Sequence, residues 1–350
     1  MVPEPGLNPQ GPPYFSGGQQ PPVYPGGFQP GPNQVFWPAV PAKPSALPVV
    51  PREYHEFFRA PRFRWWKPLV AIAMFVGAWF IGSLVMTIGA MAYDVLTGRI
   101  APDDLAAYET TVTPMLFTAN NLALALAIPF AGLTAWAVFG QRPKWMSSIF
   151  GGFRWRLFWR FAAVAAVVDL VYLGISLLTD DLSELRWNSD SAFLIVAILL
   201  TTPFQAAGEE YGVRGFLARS IGSWFGSRRV GLVVATAITS LVFMVLHGAD
   251  NFWLNLFYIG VGVACSILVW RTGGLEAAVA LHVFNNLFSE VTLPFMPLDD
   301  LFNRGPEAAG VEALLPLTFT FLVMAGMLWV ARRQRVASIS APGAQPLPVL

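Results

Sequence analysis

The chain of 350 residues is 55% hydrophobic and 12% charged, where an ordinary soluble domain carries about 25% charged residues. That deficit, with a mean hydropathy of +0.53, excludes a soluble enzyme surface and points to an integral membrane protein. The net charge of +1 offers no basic field, so no nucleic acid is expected as a partner, and the single cysteine, Cys265, excludes an internal disulfide or a Cys-based metal cluster.

Residues 1–51 hold 15 of the 29 prolines, with many Gly and Gln. Such a segment buries too little apolar surface to offset its backbone entropy, and a disordered tail is expected over 1–64. It lacks the charged start and apolar stretch of a signal peptide. His55, among Arg52, Glu53 and Glu56, is assigned no role.

From Pro68 the chain becomes a series of apolar runs, each near the ~20 residues an α-helix needs to cross hydrocarbon. Eight are read: 68–93, 111–139, 157–178, 191–208, 230–247, 252–270, 275–293 and 313–331. Their continuous Leu/Ala/Val/Phe character lacks the alternation of barrel strands. An all-α, polytopic helical bundle over 65–335 is expected, embedded in a lipid bilayer, with a second disordered tail over 336–350. Placing both termini in the cytoplasm puts 19 Lys/Arg on cytoplasmic segments and three, Arg99, Arg186 and Arg304, on the others. Those other segments carry thirteen acids, among them Asp103, Asp104, Asp180, Asp181, Asp299 and Asp300. The cytoplasmic membrane of a bacterium is the expected location.

Ionisable groups at membrane depth are costly and are functional candidates by default. Seven occur: Asp169, Glu209, Glu210, His247, Glu276, His282 and Glu290. Glu209 and Glu210 close the fourth run as Gly208-Glu209-Glu210-Tyr211-Gly212-Val213-Arg214-Gly215. Glu210 and Arg214, four apart, lie on one helical face and can pair, while Glu209 points elsewhere. Phe243 and His247 lie four apart on the fifth run. His282 and Asn286 share a face of the seventh, so both can address one cavity. Asn285 is expected to bond a neighbouring helix, Glu290 to be a solvated acid, Glu276 to cap a helix start, and Cys265 to be a small buried residue. Each cluster alone also reads as ordinary interfacial or packed polarity. Asp169 has no evident partner.

Together, E-E-x-x-x-R, then F-x-x-x-H, then H-x-x-x-N on separate helices resembles the CPBP intramembrane proteases. That group includes the CAAX prenyl endopeptidases of the Rce1 type and the proteins labelled Abi or lysostaphin-resistance-like. The resemblance covers about residues 190–295; Val213 stands where the family often has Phe. It implies a hydrolase, with Glu209 as the base that activates water and His247 beside it. His282 and Asn286 would bind the water or stabilise an oxyanion, and Glu210 and Arg214 would support them. The substrate would be a peptide or a membrane-anchored protein. Two His and one Glu (Glu209, His247, His282) would also suffice for a divalent metal such as zinc, which the sequence does not require. Two other readings remain open: a non-proteolytic scaffold or immunity protein of the same fold, and a proton- or ion-coupled transporter.

One tension stands in this reading. Glu209 falls near the cytoplasmic end of the fourth run and His247 towards the far end of the fifth. The two meet only if helices tilt, if 215–229 enters the membrane, or if the chamber is deep; a chamber opening to the cytoplasm is expected.

Overall fold

The computed structural model describes residues 43–344 apart from 110, 180, 297 and 299–303. The expected Pro-rich tail before residue 43, the last residues 345–350, and the acids Asp180, Asp299 and Asp300 lie outside the described residues.

The apolar runs become helices whose ends are set by local chemistry. Helix α1 spans Lys67–Leu96, with Pro68 in its first turn. Helix α2 (Pro114–Ala125) starts where the Thr113 side chain accepts from the Leu116 N–H, and α3 (Ala127–Phe139) stops at Gly140, whose φ of 75° is left-handed. A short helix α4 (Lys144–Ser147) leads to α5 (Trp155–Thr179). Helix α6 (Ser191–Glu210) passes through a π-helical segment, Tyr211–Leu217, into α7 (Ala218–Gly222). Helix α8 (Arg228–Leu246) is capped by Ser227, and α9 (Phe252–Thr272) by Asn251 and, at its end, by Gly273 at φ 64°. Helices α10 (Glu276–Ser289) and α11 (Leu314–Arg333) complete the bundle.

Seven helical stretches among the described residues are long and apolar enough to cross a membrane; α2 with α3, and α6 through α7, each count as one. The seventh apolar run departs from the expected eight spans. It forms only the 14 residues of α10, about 21 Å at 1.5 Å per residue, too short for a ~30 Å hydrocarbon layer. Helix α10 is instead a core element, packed against α5, α6, α9 and α11, with every residue from Glu276 to Val283 buried. Its first residue, Glu276, receives a bidentate pair of bonds from Arg154 at 2.9 and 2.7 Å. By contrast, large apolar side chains such as Phe80, Ile81, Val167 and Leu200 are exposed on the outer helices, as a lipid-facing surface requires.

The fourth run also departs from expectation. Its hydropathy ends at 208, where two carboxylates and an arginine interrupt it. The helical path continues to Gly222, so Glu209 and Glu210 sit well inside it. Glu209 and His247, at the far end of α8, line one space.

Residues 44–64 depart from the expected tail as well. Tyr54, Phe57 and Phe58 are buried, and Arg52–Glu53 (β1) pairs antiparallel with Ile339–Ser340 (β2). The guanidinium of Arg219, fully buried, lies 3.6 Å from the Tyr54 ring centre and donates to the Trp145 carbonyl at 2.7 Å. Averaging these aromatics with the Pro-rich stretch before them hid their capacity to pack. The β1–β2 pair places the segments flanking α1 and α11 at one end of the bundle, here the termini end.

Candidate active site

Five helical segments bring the polar groups together. On α6, Glu209 is 13% exposed and Glu210 is fully buried. The Glu210 Oε1 accepts from Arg214 Nη1 at 2.8 Å and from His282 Nδ1 at 2.9 Å. A carboxylate can only accept, so Nδ1 carries the proton, and the other ring nitrogen, Nε2, is turned towards Glu209. That Nε2 lies 3.8 Å from Glu209 Oε2. The pairing of Glu210 with Arg214 anticipated from their spacing is present. The π-helical segment holds Arg214, whose guanidinium also stacks 4.4 Å over the Phe243 ring.

Phe243 explains why α8 presents an aromatic one turn before its histidine. Its ring meets Arg214 on one side, His282 edge-on at 5.6 Å, and His247 at 4.5 Å. His247 donates from Nδ1 to the Phe243 carbonyl at 2.7 Å and stacks on Tyr258 of α9 at 4.0 Å between ring centres. Arg304 donates to the His247 carbonyl.

Glu209 also accepts from the Gln205 amide, one turn earlier on α6, and Gln205 accepts in turn from Asn286 Nδ2 at 3.0 Å. Asn286 Oδ1 accepts from Asn285 at 3.1 Å. An amide chain thus runs from the end of α10 to Glu209. Gln205 was missed at the sequence level because it is uncharged; its i−4 spacing from Glu209 was the available signal.

Glu209, His247, Asn286 and Gln205 all line one cavity of about 980 Å³; His282 stands just behind the wall. Two expectations are corrected. Asn285 does not turn to a neighbouring helix but lines this cavity. Glu290 is half-buried rather than solvated, lines the same space, and accepts from Thr202 Oγ1 at 2.7 Å. Asp169 of α5 also faces the cavity, and Cys265 is fully buried.

Ser289 at the end of α10, and Glu290, Thr292, Leu293, Met296 and Arg304 after it, line the cavity at the end opposite the paired termini. No residue of 140–154, 223–227 or 270–275 reaches it.

Glu209, His247 and His282 are the side chains that would serve a divalent metal. Among the described residues, no three His, Cys, Asp or Glu side chains are arranged to hold a metal ion. His282 spends one ring nitrogen on Glu210 and His247 one on a carbonyl.

Residues 191–288 match the family model described as type II CAAX prenyl endopeptidase Rce1-like. A curated relative, the uncharacterized protein YyaK of Bacillus subtilis (strain 168), is 23% identical over 233 residues, covering 64% of this chain and 76% of YyaK. No solved structure matches the chain. The matched segment begins with α6 and ends within α10, and so contains every residue of the E-E-x-x-x-R, F-x-x-x-H and H-x-x-x-N clusters: the polar groups gathered at the cavity of this integral membrane protein all fall in the part that is similar to the Rce1-like endopeptidases.

Proposed function

We propose that the protein is an intramembrane endopeptidase that hydrolyses a peptide bond of a membrane-associated substrate with a water activated by Glu209. The observation that carries this reading is the placement of Glu209 on the wall of a large cavity, oriented by Gln205 and backed by His282. A carboxylate in a partly desolvated pocket is suited to take a proton from water. His282 Nε2, close behind, receives a proton from that carboxylate or shares one with it, while Glu210 stabilises the imidazolium form. Asn286 keeps a second amide N–H beyond the one given to Gln205. Aimed into the cavity, it can donate to the oxyanion that develops as water adds to the scissile carbonyl. One such donor in a water-excluded site is worth about 3–4 kcal/mol. His247, held by Phe243 and Tyr258, offers Nε2 to orient the water or the leaving amine.

The test is a comparison of membrane fractions from cells carrying wild-type or Glu209→Gln protein. Glu209→Gln keeps size and hydrogen bonding but not basicity. It is expected to insert normally and to leave precursor chains uncleaved that the wild type processes. The same set of processed amino termini in both strains, with the variant inserted and folded, would remove the peptidase reading.

A further inference from the structure

Three independent features bear on which face of the membrane reaches the cavity. The first is its lining: Ser289 at the end of α10, with Glu290, Thr292, Leu293, Met296 and Arg304 after it, belongs to the end remote from β1 and β2. The second is an aromatic floor at the other end. Phe75 and Phe216, on the cavity wall, pack at 4.8 Å; beneath them Phe58 is buried, edge-on to Phe216 at 6.1 Å and stacked on Phe139 at 4.1 Å. The Arg219–Tyr54 contact lies at the same end. The third is charge. Between residues 44 and 344, every Lys and Arg except Arg99, Arg186, Arg304 and the buried Arg214 sits towards the termini end. Positively charged loops tend to be retained in the cytoplasm, and this bias favours the floored end as the cytoplasmic one.

We propose that the chamber opens to the non-cytoplasmic face of the membrane, so that the chain it admits is an extracytoplasmic segment of a secreted or membrane-anchored protein. That it cuts this segment rests on the peptidase reading; that the segment enters from this face does not. A cytoplasmic tail would have to pass the Phe58–Phe139–Phe216 floor to reach Glu209. A segment on the far side meets Asn285, Asn286 and Glu209 directly along the end of α10.

Cysteine accessibility tests this on the full-length protein in intact cells, with a membrane-impermeant maleimide as probe. The native Cys265 is fully buried and supplies a silent background. Ser289→Cys marks the rim, Asn285→Cys the wall one turn deeper, and Gly226→Cys, where an added side chain meets open space, the termini end. The two α10 variants are expected to react on intact cells, and Gly226→Cys only after permeabilisation. Thr292→Cys repeats the rim measurement if Ser289→Cys is poorly inserted. Gly226→Cys reacting from outside, with the α10 variants protected until permeabilisation, would reverse the orientation and overturn the proposal. A reactive rim with Asn285→Cys modified only after permeabilisation would show access from the cytoplasm and overturn it equally. Because labelling needs no turnover, an inactive protein with the expected pattern would sink the peptidase reading and leave the access route standing.

Discussion

Glu209 and Glu210 are chain neighbours with opposite surroundings. Glu210 is sealed inside the bundle, where Arg214 and His282 satisfy one of its oxygens, and Glu209 borders open space. About 100° of rotation between successive helical residues produces this division, and it was legible in the sequence, as was the i,i+4 pairing of Glu210 with Arg214. What the sequence hid was the cavity's breadth. A wheel drawn on α10 puts Asn285 on a different face from Asn286, yet the space wraps the end of that helix and both border it. Removing one member of a buried ion pair strands the other and costs about 3–5 kcal/mol. Arg214→Met is therefore expected to lower the unfolding temperature markedly in detergent. The double variant Glu210→Gln/Arg214→Met should recover part of the loss, because no charge is left unpaired; a double variant no more stable than the single would contradict this account.

At the scale of elements, the path from α6 to α7 decides where the site lies. Composition read the Glu-Glu and Arg214 as the end of a span, since hydropathy cannot distinguish a buried charge from an interfacial one. The π-helical segment Tyr211–Leu217 left no periodic signal because its residues are almost all apolar or glycine. Wide turns of this type often accompany functional sites, and here the segment carries Arg214 towards Phe243 and Glu210. Close approach of α6 to α2 is the other requirement. A Cβ on Gly208 would run into the Leu124 carbonyl, whereas one on Gly174 of α5 meets nothing within 4 Å. Ala in place of a mid-helix Gly ordinarily gains about 0.5–1 kcal/mol, while overpacking against a fixed backbone costs about 1–3 kcal/mol. Gly208→Ala should thus be destabilising and Gly174→Ala neutral or mildly stabilising, as measured by thermal unfolding; equal effects would rule out the close contact as the reason for glycine at 208.

On the scale of the whole molecule, the polytopic helical architecture was legible from hydropathy. The cap joining the segments around α1 and α11 was not, because Tyr54, Phe57 and Phe58 are three aromatics at the edge of a Pro-rich stretch. That cap is sensitive to acid. Burial holds the His55 imidazole below its ordinary value of 6.5, against the pull of Glu53 and of the Arg228 carbonyl that its Nε2 meets at 3.0 Å. Burial opposes charge on Glu56, but the Glu53 N–H, Arg52 and Arg228 outweigh it and keep that carboxyl below 4.5. Both groups bind fewer protons folded than unfolded, so their contributions are complete above about pH 6.5 and are lost as pH falls, His55 first and Glu56 below 4.5. Protection of the amides over residues 52–59, corrected for the intrinsic exchange rate at each pH, is expected to fall on acidification, with the step near His55 absent in His55→Gln. Protection that is flat from pH 7 to 4 would remove both groups from the cap's energetics.

The brevity of α10 has a consequence for biogenesis. A 14-residue segment that opens with a glutamate and carries a histidine and two asparagines partitions poorly from a translocation channel into lipid on its own. It therefore enters the membrane together with neighbouring hairpins that already offer Arg154 and Glu210 as partners. The last crossing, and with it the side on which the carboxyl terminus emerges, is settled only after α5 and α6 are in place.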